Sequence, residues 1–239
     1  MKNIICLALL ATVSLALFDP GAAHAKETDR MLENIKWLGH DTFIITGERT
    51  IYTDPFQLGT PGPVADIILI THEHRDHCSP DDLKKISGPA TTIVATPDCL
   101  EKLKGIERKD TRTVKPGDRL EIGGIEVEAV RAYNTNKKFH PRENDWVGYI
   151  FRAGGLRYYL AGDTDHIPEM KDVRCDVALL PVSGTYVMTA EEAVNAALDI
   201  KPRVAVPMHY GSIVGELPDA ERFASALKGK LDVRVLKKE

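Results

Sequence analysis

The feature that most constrains this chain is a cluster of histidine and aspartate side chains directly after a short apolar run. Residues 67–70, Ile-Ile-Leu-Ile, predict a short buried strand. His72 and His74 are two residues apart, so both point to the same side of an extended backbone. Asp76 and His77 follow where the chain must turn. Imidazole and carboxylate together suit zinc, iron or manganese, so the sequence predicts a metal-binding turn at a strand end.

Two later positions repeat this arrangement of a buried strand followed by a metal-capable side chain. Asp163 stands in Gly162-Asp163-Thr164 after the apolar residues 158–161, and the glycine allows the backbone to approach closely. His209 follows the apolar residues 204–207. Either residue alone is typical of an ordinary turn or a structural histidine. Together with the first cluster, they favour a shared site.

These motifs resemble those of the metallo-β-lactamase superfamily. The pattern His-x-His-x-Asp-His at residues 72–77 is similar to its first metal motif, and residues 162–164 and 207–210 are similar to its later motifs. Residues 37–44 and 52–55 resemble the start of the branch that includes ascorbate-phosphate lactonases and phosphodiesterase-like hydrolases. The resemblance implies an α/β fold, a four-layer αββα sandwich. It covers the chain from about Trp37 to about Tyr210.

The resemblance also implies a ligand set for two divalent ions, zinc before manganese or iron. His72 and His74 are expected at the first ion, with Asp76, His77 and His209 at the second and Asp163 between the two. Asp76 and Asp163 are therefore the expected catalytic residues. Two ions about 3.5–4 Å apart provide metal-bound hydroxide at neutral pH. The expected reaction is hydrolysis of an ester, a lactone or a phosphodiester-type substrate.

One expected ligand is missing from the pattern. Members of this branch usually carry a histidine where this chain has Asn134, and an amide is a poor ligand for a transition metal. His140 lies six residues further on, beside Pro141, in the polar segment 133–145 that shows neither helix nor strand pattern. We expect His140 to fold inward and complete the first ion's ligands. The alternative is a surface histidine, with solvent or Asn134 in the vacant position.

Several further residues are candidates for supporting roles. His40 and Asp54 match early motifs of the family and are expected either to orient ligands or simply to shape turns. His166 is expected to contact substrate or to face solvent. Cys78 follows His77 and is a candidate ligand, although a buried inert thiol is the favoured interpretation. Three aromatic residues are candidates to line a cleft, although core packing is the favoured role for each: Tyr133, Trp146 and Tyr186.

The order of predicted elements fits two packed sheets with helices outside. Short strands and helices alternate up to about residue 103, and mostly strands follow up to residue 160. Thr189 and Glu192 form a capping box that predicts a helix to about Leu198. A final helix is predicted at 219–227 and a final strand at 233–236. No linker divides residues 26–239, which we interpret as one hydrolase domain.

The first 25 residues have the layout of a secretory signal peptide. Lys2 precedes an apolar run over residues 4–18, and Ala23-His24-Ala25 supplies a cleavage site between small residues. The run is short for a transmembrane helix, although an uncleaved anchor remains the alternative. The sequence therefore predicts a periplasmic or secreted protein without stable membrane insertion.

The overall charge restricts the partners. A formal net charge of -4 over 239 residues gives no electrostatic footprint for nucleic acid, so a small-molecule or lipid-like substrate is expected. The oligomeric state is open. Two other function classes also stay open, an iron-dependent oxidoreductase such as a thiol or sulfur dioxygenase, and a noncatalytic binding protein that retains the fold.

Overall fold

Two β-sheets form the centre of the molecule. The computed structural model describes residues 20–60 and 62–239. The first sheet has its strands in sequence order: β1 (Ile35–Gly39), β2 (Thr42–Ile45), β3 (Ile51–Thr53), β4 (Ile67–Leu69), β5 (Thr92–Ala95) and β6 (Asp110–Thr113). The second sheet runs in reverse order: β13 (Asp232–Val233), β12 (Val204–Met208), β11 (Val177–Pro181), β10 (Leu156–Leu160), β9 (Val147–Ala153), β8 (Ile125–Arg131) and β7 (Arg119–Ile122).

Four α-helices and three short 3₁₀ turns accompany the sheets in the described residues. The α-helices are α1 (Pro20–Met31), α2 (Pro80–Ile86), α3 (Ala190–Ile200) and α4 (Leu217–Leu227). The 3₁₀ turns are Pro97–Glu101, Arg142–Asn144 and Pro168–Asp172. The predicted capping box is present at α3, where the Thr189 side chain accepts from Glu192 N and the Glu192 side chain accepts from Thr189 N. None of the helices formed by residues 20–60 and 62–239 is long and apolar enough to cross a membrane.

Alternation of side chains along the central strands builds the four layers. In β4, Ile67 and Leu69 join the main core with residues of the second sheet. Ile68 on the opposite face joins a separate cluster with Leu83 and Ile86 of α2. Apolar residues of α3 and α4 complete the main core on the far side of the second sheet. The layers are therefore helix, sheet, sheet, helix, which confirms the predicted αββα sandwich.

Strand direction brings the candidate residues to one edge. Strands β3 to β6 run parallel, as do β10 to β12. Strand β1 is antiparallel to β2, which is antiparallel to β3, so β1 and β3 end at the same edge. The same relation through β9 makes β8 end beside β10. The loops after β1, β3, β4, β8, β10, β11 and β12 therefore lie together.

Two predicted elements differ from the structure, and one observed strand was not predicted. The last strand is only Asp232–Val233, and the last helix expected before residue 103 is the 3₁₀ turn Pro97–Glu101. Strand β6 was not predicted because its residues, Asp-Thr-Arg-Thr, are polar and lie at the edge of the sheet, where no apolar face is required. Most of the predicted signal peptide lies outside the described residues. Helix α1 includes its expected cleavage point after Ala25, and cleavage there stays a prediction.

Candidate metal centre

Asp163 lies where the loops from both sheets meet. Its Oδ2 is 3.0 Å from His140 Nε2 and 4.0 Å from His72 Nε2. Its Oδ1 is 3.2 Å from His209 Nε2 and 3.3 Å from His77 Nε2. The carboxylate therefore presents one oxygen to each of two histidine groups, which is the geometry expected of a residue that lies between two ions.

The first ligand group consists of His72, His74 and His140, whose candidate ligand atoms lie within 4.8 Å of one another. His72 Nε2 and His74 Nδ1 are 3.0 Å apart. The Trp146 ring packs beside all three imidazoles, with centroid separations of 4.7, 4.8 and 5.3 Å. The structure thus places His140 where the sequence left a ligand position vacant.

Asn134 holds the His140 loop rather than facing the centre. Its Oδ1 accepts from His140 N at 3.1 Å, and its backbone N donates to His140 O at 2.7 Å. Its Nδ2 donates to Tyr186 O at 2.9 Å and to Asp165 Oδ1 at 3.1 Å. Because both ends of the amide are used in this way, Asn134 closes the loop that carries His140 inward.

Asp165 is a positioning residue that sequence reasoning missed. It is buried and accepts from the backbone N of Thr135 at 2.8 Å and from the ammonium group of Lys137. Its own backbone N donates to Tyr133 O at 3.0 Å. The signal was available in the sequence, because Asp165 stands two residues after Asp163 in the same turn.

The second ligand group consists of His40, Asp41, His77 and His209, all buried, with candidate ligand atoms within 4.8 Å of one another. Asp41 was not among the predicted site residues. Asp76 lies at the margin of this group, with Oδ2 3.1 Å from His40 Nε2 and 3.6 Å from His77 Nε2. The structure therefore places two carboxylates, Asp41 and Asp76, beside His77, where the sequence predicted only Asp76.

Hydrogen bonds behind the rings fix their orientation. Asp54 Oδ2 lies 2.9 Å from His77 Nδ1 and also accepts from Thr71 Oγ1 at 2.8 Å. Ser183 Oγ lies 2.9 Å from His209 Nδ1. In both rings Nδ1 is engaged from behind, so Nε2 is directed at the centre. Such outer partners set the tautomer of a metal-binding histidine.

Positive φ angles occur at two residues of the second ligand group and at Asp54 behind it. His40, Asp54 and His209 have positive φ angles of 53°, 34° and 59°, a region that L-residues rarely adopt. His209 N donates to His40 O at 3.0 Å, which ties the two turns together. Gly162 has a φ of 66°, and a Cβ there would lie 3.0 Å from Val147 O. Strained backbone of this kind is common where side chains must be held for function.

Two imidazoles of the first group, His72 and His74, and two of the second, His77 and His209, have pKa values shifted in opposite directions. Burial, reinforced by neighbouring imidazoles, holds the pKa of His72 well below its usual value and also lowers that of His74. Burial opposes protonation of His209 as well, but the Asp163 and Asp41 carboxylates overcome this and raise its pKa to about 9. The pKa of His77 is likewise raised, against burial, by Asp163 and Asp54.

The carboxyl groups respond to the same charges. Burial alone would raise the pKa of Asp163, yet the His209 and His77 rings hold it well below its usual range. The pKa of Asp76 is also lowered, because the His77 and His40 rings outweigh its burial. Both residues are therefore available as carboxylates at neutral pH.

The unpartnered atoms of this region fit divalent metal ions. Within the described residues, several buried polar atoms at the centre have no hydrogen-bond partner: His77 Nε2, His140 Nε2, His209 Nε2, Asp163 Oδ1 and both carboxylate oxygens of Asp41. Buried polar groups usually have partners, and imidazole with carboxylate is a common donor set for zinc, iron and manganese. The residues present therefore fit the predicted metals.

Other candidates lie outside the ligand groups. His166 Nε2 lies 2.9 Å from Asp199 Oδ2 on α3, so this ring faces the helix rather than the centre. Cys78 is a buried free thiol in the cluster beneath α2, and Cys99 and Cys175 are also free. Trp146 supports the first ligand group, while Tyr133 donates its hydroxyl to Glu169.

Comparisons with known proteins agree with this geometry. Residues 34–209 match the family described as the beta-lactamase superfamily domain. A UPF0173 metal-dependent hydrolase of Thermoplasma acidophilum is 35% identical over 221 residues, which cover 86% of this chain and 96% of the relative. The solved structure of a proposed metal-dependent hydrolase from Parabacteroides distasonis has a TM-score of 0.75 and 38% identity, covering 85% and 93% of the two chains. A metallo hydrolase from Ignicoccus hospitalis, at 23% identity and TM-score 0.67, covers 85% and 94% and is similar in fold.

Proposed function

Because this chain belongs to the metallo-β-lactamase superfamily and is a metal-dependent hydrolase, we propose that it cleaves ester, lactone or phosphodiester bonds with two divalent ions. The observation that carries the proposal is the position of Asp163. Its two oxygens face two separate ligand groups, at 3.0 Å from His140 and 3.2 Å from His209. A single-ion site would not require a carboxylate shared in this way.

The two groups would hold the ions with different donors. His72, His74 and His140 offer three imidazole nitrogens, which suit zinc. The second position combines His77 and His209 with carboxylates and suits zinc, manganese or iron. When bound, such ions supply a nucleophile from water at neutral pH and polarise the bond to be cleaved.

The residues of the chain hold and orient the reacting groups. Asp54 and Ser183 keep Nε2 of His77 and His209 directed inward, so no reorientation is needed when substrate arrives. Asp76 is the most exposed carboxylate at the centre, at 19% for its side chain against 4% for Asp163. We assign to Asp76 a hydrogen bond that orients incoming water, because its carboxylate is unprotonated at neutral pH and open to solvent.

Apolar side chains beside the ligand residues support a small-molecule or lipid-like substrate. Phe139 precedes His140, is 40% exposed and packs edge-on against Tyr186 at 4.7 Å. Ile213 follows His209 by four residues and is 50% exposed. Exposed apolar groups close to a polar centre are typical of sites for organic substrates. The net charge of -4 offers nothing to attract a nucleic acid.

Hydrolysis is favoured over the other function classes. The T. acidophilum and P. distasonis proteins are both described as metal-dependent hydrolases, which supports hydrolysis over iron-dependent oxidation. A noncatalytic protein has no need to keep strained turns at three ligand-orienting positions, His40, Asp54 and His209.

Export is part of the proposal. The charged and apolar segments of residues 1–25 support secretion to the periplasm or beyond, followed by cleavage after Ala25. N-terminal sequencing of the exported protein should begin at Lys26. Recovery of the exported protein with Met1 intact would contradict the cleavage.

A substrate panel with metal analysis tests the hydrolase proposal. The purified protein should contain two ions per chain and cleave at least one of a set of lactones, phosphodiesters and carboxylic esters. Chelation should abolish cleavage, and Zn²⁺, Mn²⁺ or Fe²⁺ should restore it. Oxygen uptake with thiol substrates, without cleavage of any panel compound, would favour the oxidoreductase class instead.

A further inference from the structure

One buried carboxylate in the second ligand group has no hydrogen-bond partner. Asp41 lies in the turn between β1 and β2 with its side chain fully buried, and within the described residues neither of its oxygens accepts a hydrogen bond. Its Oδ2 lies 3.5 Å from His40 Nε2, 3.7 Å from His77 Nε2 and 3.9 Å from His209 Nε2. Buried charges are normally paired or coordinate metals, so the absence of a close partner requires an explanation.

The separations around Asp41 match the spacing of ligands around one ion better than that of hydrogen bonds. Hydrogen bonds between nitrogen and oxygen span about 2.7–3.2 Å. Two ligand atoms that each lie about 2.1 Å from one tetrahedral ion are about 3.4 Å apart. His77 Nε2 and His209 Nε2, which face Asp163 Oδ1 at 3.3 and 3.2 Å, also lie 3.7 and 3.9 Å from Asp41 Oδ2. The three atoms therefore converge as ligands do.

We propose that Asp41 is a ligand at the second metal position, together with His77, His209 and Asp163. The inference rests on the proposed function, since it concerns the same metal centre. Asp41 adds to Asp76, the expected carboxylate at this position, whose Oδ2 lies 3.6 Å from His77 Nε2 and 3.1 Å from His40 Nε2. His40 lies between the two carboxylates, with its Nε2 3.5 Å from Asp41.

An added carboxylate changes which ion this position selects. Asp163 faces both positions, so the difference lies in the other donors: three imidazole nitrogens at the first position, and His77 and His209 with the carboxylate of Asp41 at the second. Imidazole suits zinc, and carboxylate suits manganese. When Mn²⁺ and Zn²⁺ compete, the second position therefore takes up Mn²⁺ more readily than the first position does. This preference depends on Asp41.

Metal titration of the purified protein, freed of metal by chelation, tests the assignment. Mn²⁺ is added to the wild type, Asp41→Asn and Asp41→Ala, with calorimetry for affinity and elemental analysis for stoichiometry. We expect loss of about 100-fold or more in affinity at one position only, above the 10- to 100-fold typical of losing an outer partner. In competition with Zn²⁺, both variants should retain less Mn²⁺ than the wild type.

Asp82→Asn is the matched control. Asp82 is also a buried aspartate, but it lies in the first turn of α2, outside the metal centre, and accepts hydrogen bonds from Leu58 N at 3.0 Å and Gln57 N at 2.9 Å. It should lower thermal stability without changing metal stoichiometry. If Asp41→Ala does not fold, as judged by circular dichroism, the isosteric Asp41→Asn decides the question.

Two outcomes would overturn the assignment. The first is binding of two Mn²⁺ ions with wild-type affinity by the Asp41 variants. The second is an equal loss at both positions, which indicates a general packing role. The proposed function fails separately: a wild-type protein that binds two ions and cleaves no panel substrate would refute the hydrolase proposal and leave Asp41 as a ligand.

Discussion

The first and second ligand groups share one aspartate and differ in nearly everything else. His72, His74 and His140 form a nitrogen-only group backed by the Trp146 ring, and His74 is partly exposed. The second group is fully buried, contains carboxylate and uses turns with positive φ at His40 and His209. Burial lowers the pKa of His72 and His74 in the first group, while carboxylates raise the pKa of His77 and His209 in the second.

This contrast shows two ways of holding candidate metal ligands at a strand edge. In the second group His40 and His209 follow directly from the ends of β1 and β12, and positive φ angles at both residues, together with Asp54 behind His77 and Ser183 behind His209, fix the geometry. In the first group one ligand comes from a loop, and Asp165 and Asn134 fold that loop inward. Changes to these supports should therefore affect one position and spare the other.

The largest effect is expected where the two groups meet. Asp163→Ala removes the carboxylate that, among the described residues, faces both groups. Both ions should therefore bind weakly, and hydrolysis should fall by about 10²- to 10³-fold, the scale of losing a group that stabilises the transition state. The residue lies in a turn, so the sheets should stay folded. Activity on a cleaved panel substrate, metal content and circular dichroism check this. Activity at the wild-type level would reject the two-ion mechanism.

Removing the loop ligand should separate the groups. His140→Ala should lower metal content from two ions towards one, since only the first ligand group loses a donor. His166→Ala is the matched control, because this histidine pairs with Asp199 on α3 and should leave both ions bound. Elemental analysis of the two proteins after dialysis measures the difference. Full metal content in His140→Ala would mean that the histidine is not a ligand.

Loss of an outer partner should weaken only the second position. Asp54→Asn removes the charge behind His77 Nδ1 and should reduce affinity for the second ion by about 10- to 100-fold. Asp66→Asn is a suitable control, because Asp66 accepts from Thr50 N at 2.8 Å just before β4, at the opposite end of that strand. Calorimetric titration should show the change only in Asp54→Asn. Equal weakening of both ions would contradict the separation of the groups.

The pH dependence of metal affinity should distinguish the two positions without mutation. Below about pH 9, His209 carries a proton that the second ion must displace, and the pKa of His77 is raised as well, so the apparent affinity for this ion should rise from pH 7 to pH 9. The slope is about tenfold per pH unit for each displaced proton. His72 and His74 have lowered pKa values, so the first ion should bind with little pH dependence above neutrality. Titrations at pH 7, 8 and 9 that show equal slopes would contradict this.

How far the sequence predicts this molecule depends on how local the signal is. The candidate ligands at 72–77, Asp163 and His209 each follow an apolar strand, so the pattern predicts that they meet at one edge. The inward position of His140 was also predicted, from an absent histidine in a familiar motif, and its ligand role stays a prediction. Asp41 and Asp165 were missed because their contacts form only when the turn between β1 and β2 meets β12, and when the loop after β8 meets the turn after β10. Their places beside His40 and two residues after Asp163 mark them as neighbours of the site but do not specify these contacts.

The smallest effect is expected from the ion pair that secures the His140 loop. Lys137→Met removes an ammonium group from the buried Asp165 carboxylate, which keeps its bond from Thr135 N at 2.8 Å. The unfolding free energy should fall by about 1–2 kcal/mol, the scale of one charged hydrogen bond. Affinity for the first ion should fall by less than about tenfold, because an outer contact of a loop is lost while every ligand remains.

Lys85→Met is the matched control, since Lys85 pairs with the buried Asp82 at 2.8 Å within α2. Both variants should lose similar stability in urea unfolding, and only Lys137→Met should weaken the first ion. If Lys85→Met weakens that ion equally, general stability and not the loop determines its binding.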